Sequence, residues 1–112
     1  MITEPCFYYE KNQLYVQDIP VKEIIEDVGS PAYIYSEKSF EIQLNKLKKA
    51  FEGVSTIICY AIKGNHNVNI IKHFAENGCG ADIVSGGELY RAKVAGVDTS
   101  KIVYSGVRKN KS

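Results

Sequence analysis

The fold is decided by "IICYAIKGNHNVNIIKHFAENGCGADIVSGGELYRAKVAGVDTSKIVYSG", residues 57–106. It opens on an unbroken apolar run, Ile57 to Ile62, of the kind buried on both faces of a parallel sheet. The run stops at Lys63 and turns at once on Gly64 and Asn65. "NVNIIKHFAENG" then predicts a helix with Ile70, Ile71 and Phe74 inward, Asn67 as cap and Gly78 as stop. "GADIVS" predicts a second buried strand. "GGELYRAKVAG" predicts a second helix, entered through Gly86-Gly87 and left through Gly96, and "KIVYSG" a third strand. Strand, helix, strand, helix, strand with short loops is the pattern of consecutive parallel βαβ units.

Upstream, "CFYY" and "LYV" flank the polar turn "EKNQ" and predict a short hairpin. In "VKEIIEDVG", Val21, Ile24, Ile25 and Val28 fall at helical spacing before Gly29, a C-terminal cap. "PAYIYS" predicts an extended segment opened by Pro31. From Glu37 to Glu52 the sequence predicts a long helix with Phe40, Leu44, Leu47 and Phe51 as one apolar stripe, Ser36 as N-cap and Gly53 as its end. The expected organisation is therefore a β-rich segment over residues 1–35 and an α/β region over residues 36–112. The chain ends where another helix should begin, which predicts the front part of something larger.

The totals narrow the function classes. With 45% hydrophobic and 24% charged residues the composition is that of a globular domain, not of a disordered chain. A net charge of +1 sets up no field favouring nucleic acid or an anionic membrane, and no apolar run is long enough to span a bilayer. The clusters Lys46, Lys48, Lys49 and Arg108, Lys109, Lys111 are expected to be a solvated helix face and a ragged end. "MITEPCFYYE" lacks the character of a signal peptide. Cys6, Cys59 and Cys79 are odd in number and widely spaced, which favours reduced thiols and a cytoplasmic location. His66 and His73 lie seven residues apart, and no metal site is expected from them.

In a barrel of alternating strands and helices, chemistry gathers at the carboxyl ends of the strands. Those ends are Lys63, Ser85 with Gly86-Gly87, and Ser105-Gly106. A lysine there has a plain reading, the point where the chain re-enters water. Alternation along the strand offers another: Lys63 shares a face with Ala61, Cys59 and Ile57 and projects over a barrel mouth. Shielded from water there, it becomes an amine nucleophile for carbonyl chemistry, as in a Schiff base. Asp82, an acid inside a buried strand, is either bonded to a local loop or aimed at the same mouth. Glu88 stands in the first turn of the second helix, where the dipole favours an acid whether or not it also has a functional role. Gly86-Gly87 would let a backbone approach a ligand closely, without the spacing of a nucleotide loop.

"YAIKGN", "GCGADIVSGGELYRAKVAG" and "KIVYSG", together with "FYYEKNQLYV" and "IPVKEIIEDVGSPAYIYS", resemble the opening of the diaminopimelate decarboxylase family. That family belongs to the alanine-racemase-like, fold-type-III enzymes that use pyridoxal 5'-phosphate. The resemblance covers nearly the whole chain. It implies the first strands and helices of a (β/α)8 TIM barrel, preceded by a segment that joins a β-domain. It also implies Lys63 as the catalytic lysine bonded to the cofactor, with Asp82, Glu88 and Ser85 as further cofactor-binding residues. The implied reaction removes the carboxylate at the D-configured centre of meso-2,6-diaminopimelate, yielding L-lysine and carbon dioxide, the last step of lysine biosynthesis. The partner implied is a small amino-acid substrate, and the assembly implied is a homodimer. The family's phosphate-binding glycine loop, the acid at the pyridine nitrogen, its substrate-binding arginine and a cysteine from the partner subunit would all lie beyond residue 112. One departure is local: where the family has a Gly-Lys pair after the third strand, this chain has Arg108-Lys109.

Two other readings stand beside this one. One is another fold-type-III enzyme, either an ornithine- or arginine-type decarboxylase or a single-barrel cofactor carrier, and the N-terminal hairpin argues against the carrier. The other is a non-catalytic fragment that self-associates. An isolated 112-residue chain is expected to be inactive.

Overall fold

A computed structural model describes residues 5–106, and the chain divides into two compact units, Met1–Glu52 and Gly53–Ser112. Arg108, Lys109 and Lys111 lie outside the described residues.

In the first unit β1 (Phe7–Glu10) and β2 (Gln13–Val16) pair antiparallel as the expected hairpin, with Glu10 opposite Gln13. Lys11 and Asn12 turn the chain, both with positive φ (51° and 64°), as a two-residue hairpin loop that follows the strands' twist requires. Tyr8 and Tyr15 face each other across the ladder, with ring centroids 5.4 Å apart. β3 (Ile19–Pro20) adds a short edge, where a proline's missing N–H does no harm. α1 (Val21–Val28) packs on β2 and β3. It ends at Gly29, whose N–H donates to the Ile25 carbonyl and whose φ of 85° turns the chain out of the helix.

The segment "PAYIYS", expected as extended, joins no strand. α2 runs Glu37–Ala50, with Ser36 as the expected cap: its Oγ accepts from the Ser39 N–H and donates to Gln17 Oε1 at 2.9 Å. Of the predicted stripe Leu44 is buried and Phe40 half-buried, while Leu47 and Phe51 are exposed.

The second unit is a three-stranded parallel sheet, β4 (Cys59–Ala61), β5 (Gly80–Ile83) and β6 (Ile102–Tyr104), in chain order. α3 (Val68–Glu76) and α4 (Gly86–Val94) connect the strands. Parallel crossovers are right-handed, so with strands laid down in chain order successive helices fall on one face. The core agrees: Ile62, Ile71, Ala81, Ile83, Ala92, Ala95 and Val97 form one buried cluster, with Tyr60, Leu89, Ile102 and Tyr104 packed against it. Side chains alternate across a strand, so Cys59, Ala61, Asp82 and Val103 belong to the opposite face. The core sits between sheet and helices, and the second face carries Cys59, Ala61, Asp82 and an exposed Val103.

β4 is shorter than the run Ile57 to Ile62 suggested. Ile57 is 60% exposed, and Ile62 leaves the ladder for a 3-10 turn over Ile62–Gly64. Ile62 is nonetheless fully buried in the apolar cluster, on the side of the sheet that Tyr60 also faces. β5 and β6 approach closely at Gly80, where a Cβ would collide with the Lys101 carbonyl oxygen.

Candidate functional site

The carboxyl ends of β4 and β5 bring the predicted residues to one edge of the sheet. In the parallel register Ala61 pairs with Asp82, and Lys63 follows Ala61 by two residues. The face-sharing predicted for Lys63, Ala61, Cys59 and Ile57 needs correction, because the 3-10 turn breaks the alternation after Ala61. Lys63 is exposed, so the described residues do not supply the shielding from water that the sequence suggested.

The loop carrying Lys63 is tied down at several points. Asn65 N–H donates to the Ile62 carbonyl at 3.0 Å, closing the turn. The Tyr60 hydroxyl donates to the Asn65 carbonyl at 2.8 Å, and the Tyr60 ring stacks on Phe74 of α3 at 4.5 Å. Arg91 of α4 donates to the His66 carbonyl at 3.1 Å. Asn67 then caps α3, its Oδ1 accepting from the Asn69 N–H, as the sequence predicted. Neither Tyr60 nor Arg91 stood out in the sequence, because a bond to a main-chain carbonyl leaves no spacing signature.

Asp82 sits mid-sheet on the face away from the helices. Its Oδ1 is buried with no hydrogen-bond partner among the described residues, an arrangement that costs stability unless another group completes it. The loop-bonding reading of Asp82 therefore finds no donor among the described residues.

Ser85 and Glu88 are engaged locally. Ser85 Oγ accepts from the Glu88 N–H at 3.1 Å and caps α4, while Glu88 Oε1 accepts from the Val84 N–H at 3.0 Å. This is a capping box shifted back by one residue at its second bond. It fixes the corner between β5 and α4. Gly86 and Gly87 have neither positive φ nor neighbours that would crowd a Cβ, so nothing among the described residues demands glycine at either position. What they leave is bare backbone at the helix start, beside the carboxyl end of β5.

A parallel α/β sheet with an amine and an unsatisfied carboxylate at one edge can hold a carbonyl compound, the amine bonding it and the carboxylate facing a nearby positive charge or proton. Comparison with known proteins is more specific. Residues 37–112 match the family described as pyridoxal-dependent decarboxylase, pyridoxal binding domain, and the chain belongs to that family. Diaminopimelate decarboxylase from Aquifex aeolicus is 42% identical over 105 residues, covering 94% of this chain and 24% of that protein. The Haemophilus influenzae diaminopimelate decarboxylase is 41% identical, covering 94% and 25%. Among solved structures, that of diaminopimelate decarboxylase from M. jannaschii in co-complex with L-lysine superposes with a TM-score of 0.89 at 35% identity, covering 98% of this chain and 27% of that one. The Helicobacter pylori diaminopimelate decarboxylase complexed with L-lysine gives a TM-score of 0.76 at 38% identity, covering 80% and 23%. The chain thus spans about a quarter of the length of the curated relatives it matches.

Proposed function

We propose that these residues form the opening of a pyridoxal-phosphate-dependent diaminopimelate decarboxylase, which converts meso-2,6-diaminopimelate to L-lysine and carbon dioxide. The observation that carries the reading is the similarity to diaminopimelate decarboxylases along 94% of the chain, through both strand ends that hold Lys63 and Asp82. In this reading residues 36–112 supply the first strands and helices of a (β/α)8 barrel, and residues 1–35 contribute to a second, β-rich domain. A family match that begins at residue 37 supports that division. Helices gathered on one side of a sheet whose strands follow chain order are what a barrel wall requires. The whole protein is read as a cytoplasmic homodimer acting on a small amino acid.

The residues present suit the cofactor. Lys63 offers an exposed primary amine for covalent attachment, and Asp82 offers a buried carboxylate oxygen awaiting a partner. When bound, pyridoxal phosphate takes up the electron pair left behind as carbon dioxide departs. Asp82 lies on the strand next to the one that leads into Lys63, with its free oxygen available to a polar group of the ligand. The cap formed by Ser85 and Glu88 keeps the end of β5 in place, and the bare backbone of Gly86-Gly87 admits a ligand close to the sheet edge.

Incubation with pyridoxal phosphate, borohydride trapping and peptide mapping test the site. One adduct, on Lys63, is expected. Labelling spread over surface lysines with none enriched at Lys63 would refute this assignment. Carbon dioxide release by the full-length protein from meso-diaminopimelate, and not from ornithine or arginine, would set the substrate.

A further inference from the structure

We propose that Arg91 is a positioning residue for Lys63, a role that rests on the reading of Lys63 as the cofactor lysine. Arg91 lies in the second turn of α4, far from Lys63 in sequence, yet its Nη1 donates to the carbonyl of His66, three residues beyond the lysine. The same helix begins at the corner where Ser85 and Glu88 fix the end of β5. α4 therefore works as a gauge between two strand ends: its cap holds the end of the strand carrying Asp82, and its guanidinium holds the loop carrying Lys63. Without Arg91 the loop keeps the Tyr60 tie to Asn65 and the Asn67 cap, both local to β4 and α3. What it loses is its side-chain tie to α4. The hydrogen bond is charge-assisted and so stronger than one between neutral groups. Arginine suits the task because it stays charged and presents a rigid fork of donors to a fixed carbonyl.

The test compares the chain with its Arg91→Met and Arg91→Lys variants, using two readouts. The first is backbone amide exchange. Removing one charge-assisted bond should speed exchange at Asn65 and Asn67 by about tenfold in the methionine variant, and by less in the lysine variant. Ala81, Asp82 and Ile83 should exchange as before. Equal acceleration across the whole unit would mean a merely structural role and overturn the proposal, as would unchanged exchange at Asn65 and Asn67. The second is the ratio of pyridoxal phosphate labelling at Lys63 to that at Lys72, which is exposed on α3. We expect a several-fold fall with methionine and partial rescue with lysine. Faster loop exchange with an unchanged ratio would show that the tie exists but does not position the amine, which refutes the role. If the unaltered chain takes no label at Lys63, the cofactor reading fails and the positioning role with it, while amide exchange still decides the tie. Should the methionine variant fail to fold, the lysine variant carries both comparisons.

Discussion

Replacing Asp82 by alanine should make the cofactor-free chain more stable. The carboxylate has one oxygen enclosed by protein with no donor among the described residues. Leaving a polar group so placed costs about 1–3 kcal/mol. Asp82 as a whole is only half-buried, which points to the lower end, about 1 kcal/mol. Alanine keeps the Cβ beside Ala61 across the ladder, so little packing is lost. A gain of that size raises the unfolding midpoint by roughly 4–8 °C for a unit of about sixty residues. Thermal and urea unfolding without cofactor would measure it, with Asp82→Asn as a same-size control expected to change less. In parallel, selective pyridoxal phosphate labelling at Lys63 should fall, since the contact proposed between Asp82 and the cofactor is gone. A loss of stability of about 1 kcal/mol or more in the alanine variant would refute the reasoning. It would mean that the carboxylate serves a local loop, the competing reading of an acid within a strand.

Other expectations follow from single contacts. In Gly80→Ala the new Cβ would run into the Lys101 carbonyl and stand 2.9 Å from Cys59 Sγ, forcing β5 and β6 apart; a cost of about 3 kcal/mol should appear in urea unfolding. Ser85→Ala removes the acceptor for the Glu88 N–H and should cost about 1 kcal/mol, with Ser85→Asp, which keeps an acceptor, recovering most of it in the same melts. The Asp98 carboxyl is held below its ordinary value of 3.8 by the Ser100 hydroxyl, then by the Ser100 N–H, against desolvation, with Lys101 adding least. Because the folded-state value is the lower one, its small contribution to stability is present above the ordinary value and is lost as pH falls through the depressed one. An NMR titration of Asp98 should show the low midpoint, and Ser100→Ala should raise it.

The parallel unit was legible in the sequence because its signals are local. Apolar runs changed period at Lys63, Ser85 and Gly96, and the caps at Ser36, Asn67 and Gly29 form as their residue types suggested. Ends of elements were harder. Ile57 and Ile62 look alike within one run, yet one is exposed and the other joins the core through a turn that residue type does not announce. On α2 helical spacing shows which residues share a face, not how much of that face is covered, and Leu47 and Phe51 stay exposed. At the site, Lys63 and Asp82 stood out as charges beside apolar runs. The Tyr60 and Arg91 ties did not, since their acceptors are peptide carbonyls identical at every position.

Those same ties have a consequence for how the loop can change. Tyr60 and Arg91 grip the oxygens of Asn65 and His66, which every amino acid carries, so their hold is blind to the side chain at position 66. His66 is exposed and can be exchanged for a residue of another size or charge while the curve of the chain around Lys63 persists. The surroundings of the lysine can thus be retuned by drift or by engineering, one substitution at a time, on a frame that such substitutions do not disturb.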